Sequence, residues 1–185
     1  MSNTMLNGRT IYKRGDEAGV LELLRSVFVA ELLSPSTTIW LVSPWFSEVP
    51  ILDNRLEGFR HLEPQWPRAE IRLGTILATL AERGTKLVMV ARPMRRVAPD
   101  EASSVTERFL SDLERRVSDA AYLTIHRNFD RVHTKGLLGD RYLLSGSMNF
   151  TYSGVKINDE LVRFTTSEAE AAEARMEFRG LWGNS

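Results

Sequence analysis

His133 and Lys135 are separated by a single residue, and so are Ser147 and Asn149. Side chains at alternate positions of a strand share a face, so each pair projects together, and two neighbouring strands would offer four polar groups to one anion. The residue types suit a phosphoryl group. A neutral imidazole is a nucleophile that can take phosphorus, and a covalent phosphohistidine splits one hard displacement into two easier ones. Lys135 supplies positive charge, and Ser147 and Asn149 supply neutral donors to non-bridging oxygens, so transition-state charge is met without a divalent metal. Glu160 can accept from the second ring nitrogen of His133 and fix its tautomer.

Written out, the stretch reads His133-Thr134-Lys135, four residues, Asp140, then Gly146-Ser147-Met148-Asn149, and finally Asn158-Asp159-Glu160. It resembles the HxKxxxxD and GSxN signature of the phospholipase D superfamily, with the later Asn-x-Glu also in place. A chance match at all of these positions has odds of roughly one in a million, from ordinary residue frequencies. The resemblance spans about 38–165 and implies a phospholipase D-like half-unit with phosphodiesterase chemistry. Around 43–55 the chain also resembles a bacterial phospholipase-D-like subgroup found beside systems that place deazaguanine bases in DNA, which implies proteins of a DNA modification system as partners.

Register decides whether the two pairs meet. A two-residue turn at Gly139 and Asp140 would put His133 opposite Gly146 and turn Ser147 to the other side. A three-residue turn, Gly139 to Arg141, would put His133 opposite Ser147, so that turn or an equivalent bulge is expected, eased by positive φ at Gly139. Asp140 itself then sits at the turn, about 20 Å from His133 along an extended strand, and has a structural role. Gly146 is likewise a structural member of the motif.

A leaving oxygen needs a proton donor opposite the attacking nitrogen. The chain has no second HxK, and His61 and His126 lack the accompanying pattern. The second histidine is therefore expected from another protomer across a two-fold axis. The resemblance implies the same, since single-motif bacterial nucleases of the superfamily are homodimers with one active site at the interface.

Around this centre, Arg92, Arg95 and Arg96 follow a predicted strand end where open α/β sheets bind ligands, and Arg127 and Arg131 flank the same edge. These arginines are candidates for substrate contact. Trp45 is a further candidate for stacking on a base, although an aromatic residue at a strand end more often belongs to the core. Lys plus Arg equal Asp plus Glu at 24 each, so a phosphate-bearing partner must be held by a local patch. There is no cysteine, and the three histidines stand apart in sequence, so neither a metal nor another cofactor is expected.

The elements that must position these groups read as a layered α/β domain, a mixed β-sheet flanked by helices. Apolar residues make up 43% of the 185 and charged residues 26%, as in a single soluble globular domain, and no apolar window is long enough for a membrane span, so a cytoplasmic protein is expected. An N-terminal helical segment, 1–34, is expected to pack on the motif-bearing core, 38–165, with a C-terminal helix over 167–182. The spacing predicts a helix from Asp16 to Leu33, a strand Thr38 to Val42, and a long loop Ser43 to Trp66. A helix Ile71 to Glu82 stopped by Gly84, a strand Lys86 to Ala91 and a helix opened by a Ser104/Glu107 capping box follow. Strands are predicted over Ala121 to His126, Val132 to Leu138, Arg141 to Ser147 and Glu160 to Thr165, before a final helix capped by Ser167.

These observations rank a metal-independent nuclease acting on DNA or RNA first. A lipid phosphodiesterase or phosphatidyl transferase shares the chemistry but calls for an interfacial apolar face, which the sequence does not display. A non-catalytic nucleic-acid-binding subunit would use the same pocket to grip a phosphate.

Overall fold

A computed structural model describes residues 8–13, 18–92, 100–127 and 129–183. Asp16, Arg95 and Arg96 lie outside the described residues. The first element is a strand, β1 (Gly8–Lys13), followed by α1 (Ala18–Leu33), β2 (Thr38–Val42), β3 (Pro50–Asp53) and β4 (Glu70–Arg72). Next come α2 (Leu73–Glu82), β5 (Lys86–Val90), α3 (Glu101–Arg116) and a 3-10 turn at Ala120–Tyr122. Strands β6 (Leu123–His126), β7 (Gly136–Leu138) and β8 (Leu143–Gly146) precede α4 (Tyr152–Lys156), β9 (Glu160–Thr165) and α5 (Glu168–Trp182).

Seven strands form one mixed sheet in the order β1-β9-β8-β7-β2-β5-β6, as the expected fold class requires. Strands β2, β5 and β6 run parallel. Strand β7 turns antiparallel to β2, and the remaining neighbours alternate. Side-chain alternation gives the sheet two apolar faces. Ile39, Leu41, Leu87, Leu137 and Val162 pack with α1, α2 and α3 in the larger cluster. Trp40, Val42, Val90 and Leu138 face α5 through Ala171, Ala174, Phe178 and Trp182.

The N-terminal segment departs from a purely helical reading, because residues 8–13 add an edge strand that pairs with β9. Of its side chains Ile11 is buried, against Val162, while its neighbour Tyr12 is exposed, and so short an amphipathic signal is easily missed. The expected long loop from Ser43 contains β3, which pairs with β4 as a separate two-stranded sheet. Helix α3 starts earlier than the capping box suggests: Asp100 accepts from the Ser103 amide at 2.7 Å and is the true cap. Helix α5 is capped by Ser167 as expected.

The β7–β8 hairpin differs from both turns considered. Its ladder pairs Leu138 with Leu143 and Gly136 with Ser145, leaving a four-residue connection from Gly139 to Tyr142. Tyr142 joins the connection because its ring is buried and stacked on Phe164 at 6.0 Å. Gly139 is needed for room: a Cβ there would come within 2.6 Å of the Tyr142 ring and 2.8 Å of Ser36 Oγ. The positive φ falls instead on Gly146, at 151°, where β8 ends. No helix among the described residues is long and apolar enough to cross a membrane.

Candidate active site

The mixed directions of the sheet bring many strand ends to one rim. Strands β2, β5 and β6 finish there with Val42, Val90 and His126, β7 begins there at Gly136, β8 ends at Gly146, and β9 begins at Glu160. Ser43, Arg92, Lys135, Ser147 and Glu160 all stand within two residues of those ends. Segment 132–135 lies off the ladder, so His133 and Lys135 do not share a strand face as the alternation suggested. Lys135 instead folds back, its Nζ donating to the His133 carbonyl at 2.7 Å. Ser147 and Asn149 also lie past their strand.

Lys135 and Glu160 are the buried charges of the rim, 8% and 9% exposed. Burial pulls the Lys135 ammonium below its ordinary range, the nearby Arg92 charge adds to that, and Glu160 opposes it. The Ser147 hydroxyl donates to the Glu160 carboxylate and accepts from the Leu161 amide at 3.0 Å. Among the described residues Glu160 is therefore held by Ser147, not by the His133 ring as expected. The His133 side chain is exposed and lines a shallow depression with Arg131, Val132 and Trp182.

Arg92 ties the rim together. Its Nε donates to the Val132 carbonyl at 2.8 Å, next to His133, and its guanidinium lies 5.6 Å from the centre of the Trp45 ring. Ser43 was not singled out by sequence, yet it is fully buried, with Oγ 2.8 Å from the Trp45 carbonyl and 3.2 Å from Asn149 Oδ1. The available signal was its place directly after β2, at the carboxyl end where open sheets bind ligands. Trp45 is half-buried, and Phe46 beside it takes the core role, stacked between Phe109 and Phe150.

Other candidates are placed apart from this cluster. Arg127 is committed to α3, bonding Glu114 at 2.9 Å and lying 3.3 Å from Glu107. His126 is buried edge-on against Phe129, and desolvation lowers its pKa; His61 is exposed. Asp140 occupies the opposite end of the sheet, where Oδ2 accepts from the Thr37 amide at 2.6 Å and its own amide donates to Ser36 Oγ. It fastens the hairpin to the start of β2.

The geometry thus offers two cations, a carboxylate held by a hydroxyl, an amide and an exposed imidazole at one rim. The model for "Cardiolipin synthase, PLD-like domain" matches residues 59–182. The chain belongs to the phospholipase D superfamily. This PLD-like domain also resembles solved structures along most of its length. NucT from Helicobacter pylori shares 11% identity at a TM-score of 0.57, with 94% of this chain and 93% of that one covered. Nuc from Salmonella typhimurium, a phospholipase D family member, shares 16% at 0.56, with 95% of each covered. The phosphatidylserine synthase of Haemophilus influenzae shares 17% at 0.56, covering 92% of this chain and 37% of that one. No curated relative matches the sequence. Membership places the PLD-like domain among phosphodiesterases.

Proposed function

We propose that this chain is a nuclease that cleaves a phosphodiester of DNA or RNA through a phosphohistidine, without a metal ion. The observation that carries the reading is the meeting of Arg92 and buried Lys135 with the Ser147–Glu160 pair beside an exposed His133. The whole-length likeness to NucT and Nuc, the nuclease neighbours, supports it.

In this reading a ring nitrogen of His133 attacks phosphorus, and the bond from phosphorus to the leaving oxygen breaks as that oxygen takes a proton from an acid opposite. Water then attacks the phosphohistidine, the P–N bond breaks, and the base that accepts the water proton is the former acid. Lys135 and Arg92 balance the charge on the non-bridging oxygens while Asn149 donates to them. The acid is His133 of a second copy, because His126 is buried against Phe129 and His61 is exposed in a distant segment. Tyr12 and Leu161, paired across β1 and β9 next to Glu160, are exposed and give that copy an apolar surface to bury.

The test compares the wild type with His133→Ala on labelled single- and double-stranded DNA, RNA, a phospholipid and a chromogenic diester, all with excess chelator. Chelator-resistant nucleic-acid cleavage that the variant lacks is the expected result. Hydrolysis of phospholipid alone would replace it with the lipid reading, and inactive but tight DNA binding by both would replace it with a binding subunit. Light scattering at micromolar concentration should give a dimer; a monomer that still cleaves overturns the shared site.

A further inference from the structure

Next to the charged rim lies a groove of about 930 Å³ that the cleavage chemistry does not use. Its volume is that of a small-molecule site. Trp45 and Asn149 form the wall it shares with the rim, and Val105, Thr151, Tyr152 and Asn158 continue the lining. The floor is rigid. Phe46 bridges Phe150 as a short parallel pair, the Ser47 amide donates to the Phe150 carbonyl at 2.9 Å, and the Tyr152 amide donates to Ser47 Oγ at 2.8 Å.

Charge divides sharply across that wall. Arg92 lies over Trp45 and beside Lys135 on the rim side, whereas no lysine or arginine lines the groove among the described residues. Its carboxylates are largely committed: Glu48 pairs with Arg116 at 3.0 Å and accepts from the Gly74 amide at 3.1 Å, and Asp100 caps α3. Glu101 remains exposed at the mouth. Among the described residues a phosphate backbone meets no cation in this groove, whereas Arg92 and Lys135 stand on the other side of the wall. A flat, uncharged group with polar edges does gain, from the aromatic rings and from the amides and hydroxyls around them.

We propose that this groove is a nucleoside subsite, taking the base and sugar on one side of the scissile phosphate, with the base against Trp45 and Tyr152. The inference rests on the nuclease reading and adds to it a substrate class, a strand whose reacting nucleotide is unpaired. A base still held in a duplex cannot enter, so single strands are the preferred substrate. Tyr152 is half exposed, 50%, and its ring is outside the core, which makes it the residue to change.

Thymidine 5′-(p-nitrophenyl phosphate) and methyl p-nitrophenyl phosphate present the same leaving group with and without a nucleoside. The ratio of kcat/KM for the first over the second should fall about tenfold in Tyr152→Ala, mainly through KM, and be retained in Tyr152→Phe, as expected for loss of one stacked base. An unchanged ratio in Tyr152→Ala overturns the subsite. So does a wild-type preference for p-nitrophenyl phosphorylcholine that Tyr152→Ala loses, which would make the groove a cation site. If neither these diesters nor DNA or RNA is cleaved, the nuclease reading fails by itself. Calorimetric binding of the thymidine ester then still reads the groove: about tenfold weaker affinity in Tyr152→Ala upholds it, and equal affinity overturns it.

Discussion

The Ser147 hydroxyl donates to the Glu160 carboxylate while the Leu161 amide donates to that same hydroxyl at 3.0 Å. One side chain thereby joins the end of β8 to the beginning of β9 and neutralises the demand of a buried anion. Ser147→Ala leaves Glu160 without its donor, and urea denaturation should show a loss of about 1–3 kcal/mol. Glu160→Gln retains an acceptor for the hydroxyl and removes the buried charge, so it should cost less. A larger loss for Glu160→Gln would mean that the carboxylate is held chiefly by other groups.

Gly146 stands at φ 151°, and a Cβ on it would collide with the Leu161 carbonyl oxygen. That oxygen receives the Ser147 amide, so the backbone cannot yield without opening the ladder. Gly146→Ala should lower stability by about 3 kcal/mol, through strain and overpacking together. Gly180→Ala, where nothing lies within 4 Å on an exposed stretch of α5, is the control and should leave the melting temperature equal or higher.

Lys135 carries a charge that its surroundings disfavour, with a folded pKa below the ordinary lysine value. A depressed pKa means that the folded chain binds fewer protons than the unfolded one between the folded value and about 10.4, so wild-type stability from this group rises with pH in that window. Lys135→Met removes the penalty. Its melting temperature relative to wild type should be highest near neutrality and decline as pH is raised through that window, while cleavage of the chromogenic diester is lost. A constant difference across the window would show that the lysine is not strained.

His126 presents the acid-side case, its pKa lowered from 6.5 by burial. Its neutral form is favoured by folding, so the stability it gives is present above about 6.5 and is lost as pH falls through the folded value. His126→Phe, which keeps a ring against Phe129, should make the melting temperature less sensitive to pH below 6.5. An identical acid limb in both proteins would remove His126 from the list of acid-labile groups.

The strands most legible in sequence were those with continuous apolar or alternating runs, Thr38–Val42 and Glu160–Thr165, both found with the expected ends. Strand β1 was hidden because a sheet edge needs only one buried side chain, Ile11, to be anchored. Strands β3 and β4 were hidden because three or four residues carry no period. At the site, the identities were legible and the faces were not. Val132 and the residues after it read as strand, but segment 132–135 leaves the ladder to let Lys135 reach back to the His133 carbonyl. Nothing in residue type announces that reversal. Ser43 was invisible for a different reason, since its partner Asn149 stands 106 positions away and only the completed sheet brings them together.

Where β2 meets β7 the sheet changes from parallel to antiparallel, and that seam runs through the middle of the rim. Ser43 and Arg92 ride on the parallel half; Lys135, Ser147 and Glu160 ride on the other. A chain in which only one half has formed holds an arginine without its neighbouring lysine, or a lysine and its carboxylate without the arginine that steadies the segment bearing His133. The rim is therefore complete only where the two halves of the sheet meet along this seam, and either half alone carries just part of its set of side chains.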